Sequence, residues 1–202
     1  MASDMVSKEN QAILGRISNI NMIAAGDTLS MVVNQKVDVD TPTVDVLNIT
    51  GLKDIYKGQV VGIKVSYNGD LICSSVLILT EKNVKIIADL MMGGTGDVTE
   101  PVELNEIDMS AIGEAMNQMV GSAATSLANM LKQKIDITTP QPFTMDFDSD
   151  KVLAEYGFEA DECIVMVKFN MGIGSLVKSE VVQLFQKHTA LEIVNKLEKS
   201  LK

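Results

Sequence analysis

The chain contains an internal repeat, and this repeat limits its possible folds more than any other feature. Residues 13–42 align without gaps on residues 111–140, at a shift of 98 residues. Nine of the 30 aligned positions are identical, where chance gives about two, so we infer a duplication. The identical pairs include Asn19 with Asn117 and Pro42 with Pro140.

Each repeat begins with a long segment of helical period and closes with a second predicted helix. Between them lie segments in which apolar and polar residues alternate, as in strands, separated by turns rich in glycine. The predicted strands cover residues 36–39, 60–67, 71–80, 134–137, 163–170 and 176–186, and the closing helices cover residues 81–92 and 190–201. Thr189 and Glu192 have capping-box spacing and predict the start of the last helix.

These elements predict an α+β (α/β) fold with a pseudo-twofold axis, made of two helix-strand-strand-strand-helix units with sheet packed against long helices. Short amphipathic units bury their apolar faces best against each other, so we expect a single domain over residues 1–202. Its repeats are expected at about 1–92 and 107–202, with a connector at 93–106. The closing helices align at a shift of 107, which predicts about nine extra residues near 146–157.

Composition excludes several classes of protein. The net charge of −10 would repel a phosphate backbone, so no nucleic-acid partner is expected. The apolar stretches are shorter than the roughly 20 residues that span a bilayer, and no signal-peptide core is present near the start. We therefore expect a cytoplasmic protein without membrane insertion. Cys73 and Cys163 lie in apolar runs, which predicts two buried thiols rather than a disulfide.

The second long helix carries an unusual polar face. When residues 111–132 are projected at 100° per residue, an apolar face forms that is expected to meet the core. That face contains Ile112, Met116, Met119, Ala123, Leu127 and Met130. On the opposite side Ser110, Glu114, Asn117 and Gly121 follow one another at i, i+4, i+7 and i+11, flanked by Gly113 and Ala128. We call these four residues the polar stripe.

The polar stripe is typical either of a plain solvated surface or of a surface that enters a partner's active site. A solvated face usually carries long charged side chains, whereas this one is nearly bare. An amide cannot act as a base at neutral pH, but Asn117 can hold a water by hydrogen bonds in line with a phosphorus atom. A carboxylate such as Glu114 can pair with a partner lysine. We expect Glu114 and Asn117 to be a catalytic pair.

The spacing Ser110-x3-Glu114-x2-Asn117, followed after 22 residues by Pro140, resembles the signature of the CheC, CheX and FliY phosphatases. Those proteins dephosphorylate the chemotaxis response regulator CheY. Residues 89–94, 104–106, 114–119 and 121–125 are similar to the middle, CheC-like domain of the FliY members. The resemblance covers essentially the whole chain.

The resemblance implies a role for each residue of the site. Glu114 is expected to face the regulator's active-site lysine and Asn117 the attacking water, with Ser110 and Pro140 as supporting motif positions. No intrinsic metal or other cofactor is expected, because the partner supplies Mg²⁺ beside its phosphorylated aspartate. Phosphorylated CheY is the expected partner, together with the switch proteins FliM, FliG and a FliN-like protein at the cytoplasmic face of the flagellar basal body.

The equivalent positions of the first repeat depart from this pattern. They are Ala12, Arg16, Asn19 and Pro42, with an arginine in place of the carboxylate. We expect this first site to be inactive. FliY members also have a CheY-binding peptide before this domain and a FliN-like domain after it. Neither is evident here, which suggests a fragment or a shorter relative.

Two other functions stay open from sequence. The chain is also compatible with a non-catalytic scaffold that binds CheY phosphate, and with a free-standing CheC-like adaptor that regulates a deamidase such as CheD. Other motifs are set aside. Asp146-x-Asp148-x-Asp150 lacks the later ligands of a calcium loop, the glycines at 93–96 lack the lysine of a phosphate loop, and the lone His188 has no partner for a metal site.

Overall fold

The computed structural model describes residues 6–149, 158 and 162–200. This part of the chain contains five helices and eight strands. In order they are α1 (Lys8–Val33), β1 (Val37–Val39), β2 (Thr43–Leu47), α2 (Ile49–Ile55), β3 (Gln59–Gly69), β4 (Cys73–Leu79), α3 (Glu81–Met91), α4 (Glu106–Leu131), β5 (Ile135–Ile137), β6 (Gln141–Asp146), β7 (Ile164–Ile173), β8 (Val177–Gln186) and α5 (Lys187–Ser200).

All eight strands form one antiparallel sheet that draws on both repeats. Its order is β1-β7-β8-β4-β3-β5, with β2 also pairing with β7 and β6 also pairing with β3. The first two strands of each repeat therefore pair with the long third strand of the other repeat. Because of this exchange, neither repeat completes its part of the sheet alone.

The centre of the sheet reveals the pseudo-twofold axis. There β4 pairs with β8, in a register that sets Val76 opposite Leu184 and Leu77 opposite Gln183. At the repeat shift of 107 in this region, Val76 corresponds to Gln183 and Leu77 to Leu184. Exchanging the two repeats therefore turns one of these pairs into the other. An antiparallel pair has a local twofold between its strands, so the axis of the duplication passes through this point.

The two long helices are alike in length and in the way they end. Each has 26 residues and ends in a left-handed residue, Asn34 (φ 49°) after α1 and Lys132 (φ 52°) after α4. The helices pack against each other and cover the sheet. Of the face predicted for the core, Ile112, Met116, Met119 and Leu127 are buried and Ala123 and Met130 are partly buried against it. The helical period thus predicted this face correctly.

A second, smaller core lies on the other side of the sheet. It is built mainly from sheet residues that do not face the long helices, together with Leu52 of α2 and the buried rings of Phe147 and Phe158. Tyr56 closes one side, with its ring centroid 5.6 Å from that of Phe147. The sheet is therefore covered on both faces, which agrees with the apolar composition of its central strands.

The fold class is confirmed, but details of the prediction need correction. Each repeat contains four strands rather than three, because a further strand, β2 or β6, begins directly after the proline at which the first strand was predicted to stop. The short helix α2 was also not predicted. The last helix begins at Lys187, so Thr189 lies inside it and is not its cap. The extra residues predicted near 146–157 fall largely outside the described part of the chain.

Two further expectations can be compared with the structure. Within the described residues, no helix is both long enough and apolar enough to cross a membrane. Both cysteines are free thiols, and Cys163 is buried as predicted while Cys73 is only half-buried.

Candidate active site on helix α4

The start of α4 is fixed by a capping box that the sequence analysis missed. Asn105 Oδ1 accepts hydrogen bonds from the backbone N–H groups of Ile107 (2.9 Å) and Asp108 (3.0 Å). Asp108 Oδ2 in turn accepts from the backbone N–H of Asn105 at 2.9 Å. The Asn105-x-x-Asp108 spacing was the available signal, since it matches a reciprocal cap. Because of this cap, the helix begins at Glu106, five residues before the predicted helical segment 111–132.

Asp108 also ties α4 to the neighbouring helix α3. Its carboxylate is 1% exposed and receives Lys85 Nζ at 2.7 Å. A buried carboxylate is costly unless it is paired and hydrogen-bonded. Here a lysine and a backbone N–H both satisfy Oδ2, whereas Oδ1 is buried without a hydrogen-bond partner among the described residues. This contact holds the first turn of α4, and with it the polar stripe, at a fixed position relative to α3.

The polar stripe lies on the surface of α4. Ser110 and Glu114 are exposed, whereas Asn117 and Gly121 are half-buried. Glu114 Oε1 accepts a hydrogen bond from Gln118 Nε2 at 2.8 Å. Side chains three residues apart share one helix face, so the carboxylate of Glu114 and the amide of Asn117 can both contact one partner.

Gly121 of the polar stripe and the flanking Gly113 have different surroundings. A Cβ on Gly113 would lie 3.5 Å from Cγ of Pro142, which is contact with strand β6. A Cβ on Gly121 would meet nothing within 4 Å. A glycine inside a helix costs about 0.5–1 kcal/mol relative to alanine. The packing of this chain does not require that cost at Gly121, and the glycine leaves the surface of α4 bare at this turn.

A groove with apolar edges runs beside the stripe, between the end of α3 and the start of α4. We call it the α4 groove, and it is lined by Met91, Met92, Glu106, Ile107, Ser110, Ala111 and Glu114. Met92 is 57% exposed and Ile107 64% exposed. Exposed apolar side chains beside a polar site are typical of a protein interface. Sequence analysis missed these two residues, because their helical spacing alone does not show that they face solvent.

The structure brings only part of the second-repeat motif into this groove. Ser110 and Glu114 line it, while Asn117 lies one turn further along α4. Pro140 is buried just before β6, the strand whose Pro142 lies near Gly113. The proline therefore belongs to the packing of β6 beneath the helix rather than to the surface that a partner would contact.

The equivalent positions of the first repeat do share one groove. We call it the α1 groove, and it is lined by Lys8, Gln11, Ala12, Gly15, Arg16, Asn19, Thr41, Pro42 and Val44. The residue equivalent to Gly121 is Ile23, which is 46% exposed. A bulky side chain thus stands where the second repeat is bare. The first site therefore differs from the second in two ways, by Arg16 in place of the carboxylate and by Ile23 in place of the glycine.

The carboxylates, the histidine and the cysteines of the described residues do not gather into a metal site. No cluster of three or more His, Cys, Asp or Glu side chains there could hold a metal ion. His188 is exposed near the start of α5. Asp146 and Asp148 lie at the end of β6 and just after it, and Asp150 falls outside the described residues.

Comparison with known proteins identifies this duplicated fold. The family model of the CheC-like family matches residues 107–142, which run from α4 into β6. The crystal structure of FliY from Thermotoga maritima is 36% identical in sequence and superposes with a TM-score of 0.87, covering 96% of this chain and 98% of that one.

Two curated relatives from Bacillus subtilis are also similar. The flagellar motor switch phosphatase FliY is 37% identical over 194 residues, which are 96% of this chain and 50% of that protein. The CheY-P phosphatase CheC is 24% identical over 139 residues, 67% of this chain and 66% of CheC. The chain belongs to the CheC-like family. It spans about half the length of the FliY relative and about two thirds of CheC.

Proposed function

We propose that this chain accelerates hydrolysis of the aspartyl phosphate of phosphorylated CheY, as part of the flagellar motor switch. The observation that carries the proposal is the bare polar stripe, where an exposed carboxylate and an amide stand beside a glycine that the chain's own packing does not need. The names of the two curated relatives, a flagellar motor switch phosphatase and a CheY-P phosphatase, support the same reaction.

In the proposed reaction, the side-chain amide of Asn117 orients a water molecule against the phosphorus atom. The amide offers both a donor and an acceptor, so it can hold the water without removing its proton. A bond forms between the water oxygen and phosphorus, and the bond between phosphorus and the aspartyl oxygen breaks. The products are inorganic phosphate, which keeps both protons of the water, and the free aspartate carboxylate of the partner.

Glu114 is proposed to fix the register of the two proteins. Its carboxylate is exposed, and one oxygen already accepts from Gln118. The other oxygen is free to accept from a lysine ammonium on the partner, which is a charge-assisted hydrogen bond. Such a contact would position Asn117, since the two side chains lie on one rigid helix and positioning supplies much of the rate in phosphoryl transfer.

We propose that the metal of this reaction is Mg²⁺ held by the phosphorylated partner. It would neutralise the charge of the phosphoryl oxygens there, and this chain would supply only the water-orienting amide and the register-fixing carboxylate. The proposed site of action is the cytoplasmic face of the flagellar basal body, beside the switch proteins FliM, FliG and a FliN-like protein.

A second candidate function is a switch scaffold that binds CheY phosphate without hydrolysing it. The α1 groove favours such a role, because it keeps Asn19 and Pro42 but carries Arg16, and because the exposed Ile23 lies one turn beyond Asn19 on the same helix. A free-standing adaptor that acts on a deamidase such as CheD is the remaining alternative, which a pull-down against CheD would test.

The deciding experiment measures loss of phosphate from radiolabelled CheY phosphate, with and without this chain. The proposal expects acceleration that saturates with CheY phosphate and disappears when EDTA removes Mg²⁺ from the partner. Binding of CheY phosphate with an unchanged phosphate lifetime would overturn the proposal in favour of the scaffold.

A further inference from the structure

The charges of the two long helices are reversed at two equivalent positions. At the repeat shift of 98, Lys8 corresponds to Glu106 and Arg16 to Glu114. Lys8 and Arg16 line the α1 groove, whereas Glu106 and Glu114 line the α4 groove. Two pseudo-symmetric surfaces of one chain thus present opposite charge, so they cannot select the same partner surface.

The two cations of the α1 groove are available for an external partner. Both side chains are exposed. Lys8 Nζ bonds only the neutral Gln11, at 3.3 Å, and Arg16 has no ion pair within the described part of the chain. No carboxylate lines this groove among the described residues. The groove is thus a local positive surface on a chain whose net charge is −10, and an acidic partner would be attracted to it rather than to the protein as a whole.

The dimensions of the groove favour a peptide segment over a single small anion. Lys8 and Arg16 are eight residues apart on α1, which separates them by about 12 Å along the helix axis. Two carboxylates about four residues apart on an extended segment span a similar distance, at roughly 3.3 Å per residue. Between the cations the groove is lined by Ala12, and its strand side by Pro42 and Val44, which suits the apolar parts of a polypeptide.

We propose that the α1 groove binds an extended acidic segment of a partner protein, with one carboxylate on Arg16 and a second on Lys8. Arg16 can hold its carboxylate with two parallel hydrogen bonds, and Lys8 acts as a point charge. Asn19 and Thr41 line the same groove and supply polar groups for the peptide backbone. This binding does not depend on phosphatase activity. It makes the first repeat a recruiting surface for a partner other than the one that meets Glu114.

The test uses a fluorescein-labelled peptide of about 12 residues. The peptide is neutral except for two glutamates about four positions apart, and its comparator carries glutamine at both positions. Fluorescence anisotropy at about 50 mM salt, where exposed charges are weakly screened, is expected to show binding of the glutamate peptide and none of its comparator. Affinity should fall as salt is added.

Variants distinguish binding in this groove from non-specific attraction to the charge of the whole protein. Arg16→Gln is expected to weaken the glutamate peptide about tenfold or more, in line with loss of a charge-assisted contact. Lys199→Gln removes the same charge from an exposed site on α5 and should leave binding unchanged. Circular dichroism should show that both variants are folded, as expected for exposed positions.

Three results would overturn the proposal. The first is equal binding by wild type and the Arg16→Gln, Lys8→Gln double variant. The second is full displacement of the peptide by inorganic phosphate with an inhibition constant similar to the Kd of the peptide, which would make this a phosphate site. The third is absence of peptide binding together with self-association in sedimentation velocity that Arg16→Gln abolishes, which would make the occupant a second copy of this chain.

Discussion

Ser122 Oγ donates a hydrogen bond to the backbone carbonyl of Ala24 at 3.1 Å, across the contact between α4 and α1. The two residues are 98 positions apart, so each is the other's counterpart in the repeat. In a pseudo-twofold arrangement, only residues close to the axis touch their own counterparts. The axis therefore passes between the two long helices, and the α1 and α4 grooves are related by a half-turn about it.

This relationship explains how the two grooves diverged without disturbing the core. The contact of Ser122 and Ala24 belongs to the shared helix pair, whereas Arg16 and Glu114 lie on the exposed faces. Substitutions on those faces leave the packing between the helices intact. The protein thus keeps one symmetric scaffold and two surfaces of different chemistry.

Gly121 is expected to favour function at the expense of stability. Gly121→Ala should raise the free energy of unfolding by about 0.5–1 kcal/mol, because alanine is the better helix former and the added Cβ has open space. Gly121→Ile, which copies Ile23 of the first repeat, should lower kcat/KM for CheY phosphate by about ten- to a hundredfold by holding the partner away. Urea unfolding and phosphate release measure the two effects.

The matched control for this prediction is Asn129→Ile. Asn129 is exposed on the same helix and rotated by about 80° from Gly121, so a bulky side chain there should leave kcat/KM unchanged. Equal activity of Gly121→Ile and wild type would show that no partner approaches this part of α4.

Lys85→Ala should destabilise the fold and loosen the start of α4. It leaves the Asp108 carboxylate buried without its cation. We expect a loss of about 2–3 kcal/mol, below the 3–5 typical of fully buried pairs because the Lys85 side chain is 30% exposed. Lys82→Ala on the same helix is the control. Its pair with Glu100 is exposed on both sides, so a change of under about 1 kcal/mol is expected in urea unfolding.

The first site should be repairable. In an Asn117→Ala background, the triple change Ala12→Ser, Arg16→Glu and Ile23→Gly restores the second repeat's pattern around Asn19. Phosphatase activity is expected to rise about tenfold above the Asn117→Ala protein, since both electrostatic pairing and close approach return. A folded variant with no gain over its background would mean that the first site lost more than these three residues.

Stability should fall in alkaline solution. Burial, with Glu192 adding to it and Lys196 opposing it, raises the pKa of Cys73 from 9.0 to about 12. Burial also raises the pKa of Tyr67, its cross-strand neighbour, from 10.0 to about 12. Both groups stay neutral in the folded state where the unfolded chain would ionise. Their contribution to the free energy of unfolding is therefore complete below about pH 9 and is lost as pH rises toward about 12.

Urea midpoints measured at several pH values through this range should fall steadily. Cys73→Ala should make the fall shallower, because one of the two titrating groups is removed. A stability that is flat through this window, or a slope that Cys73→Ala leaves unchanged, would contradict the assignment.

The long helices and the polar stripe could be predicted from sequence because their signal is local. The apolar period of α4 fixes which face is buried, and Ser110, Glu114 and Asn117 then fall on the other side. The duplication supported this prediction independently, because the first repeat has the same helical segment and keeps an asparagine at the equivalent position. The catalytic roles of Glu114 and Asn117, and the limits of the two repeats, stay predictions.

The features that sequence analysis missed depend on distant partners. Strand β2 has only five residues and pairs with β7 of the other repeat. Its Thr43, Val44 and Val46 are typical of a strand, but so short a run after a proline does not show by itself that it joins the sheet. The ion pair of Lys85 and Asp108 joins two helices across the predicted connector. A short element whose partner lies far away in sequence is stabilised by tertiary contacts rather than by its own propensity.

The most direct test of the proposed mechanism compares two repeat-related amides, Asn117→Ala and Asn19→Ala, in single-turnover release of phosphate from CheY phosphate. Loss of the water-orienting amide at Asn117 should lower the rate by roughly a hundredfold or more, by analogy with loss of one transition-state hydrogen-bond donor. Asn19→Ala should leave the rate within about twofold of wild type, because its groove lacks the carboxylate that fixes the partner. Equal rates for wild type and Asn117→Ala, or a larger loss from Asn19→Ala, would contradict the assignment of the catalytic pair to helix α4.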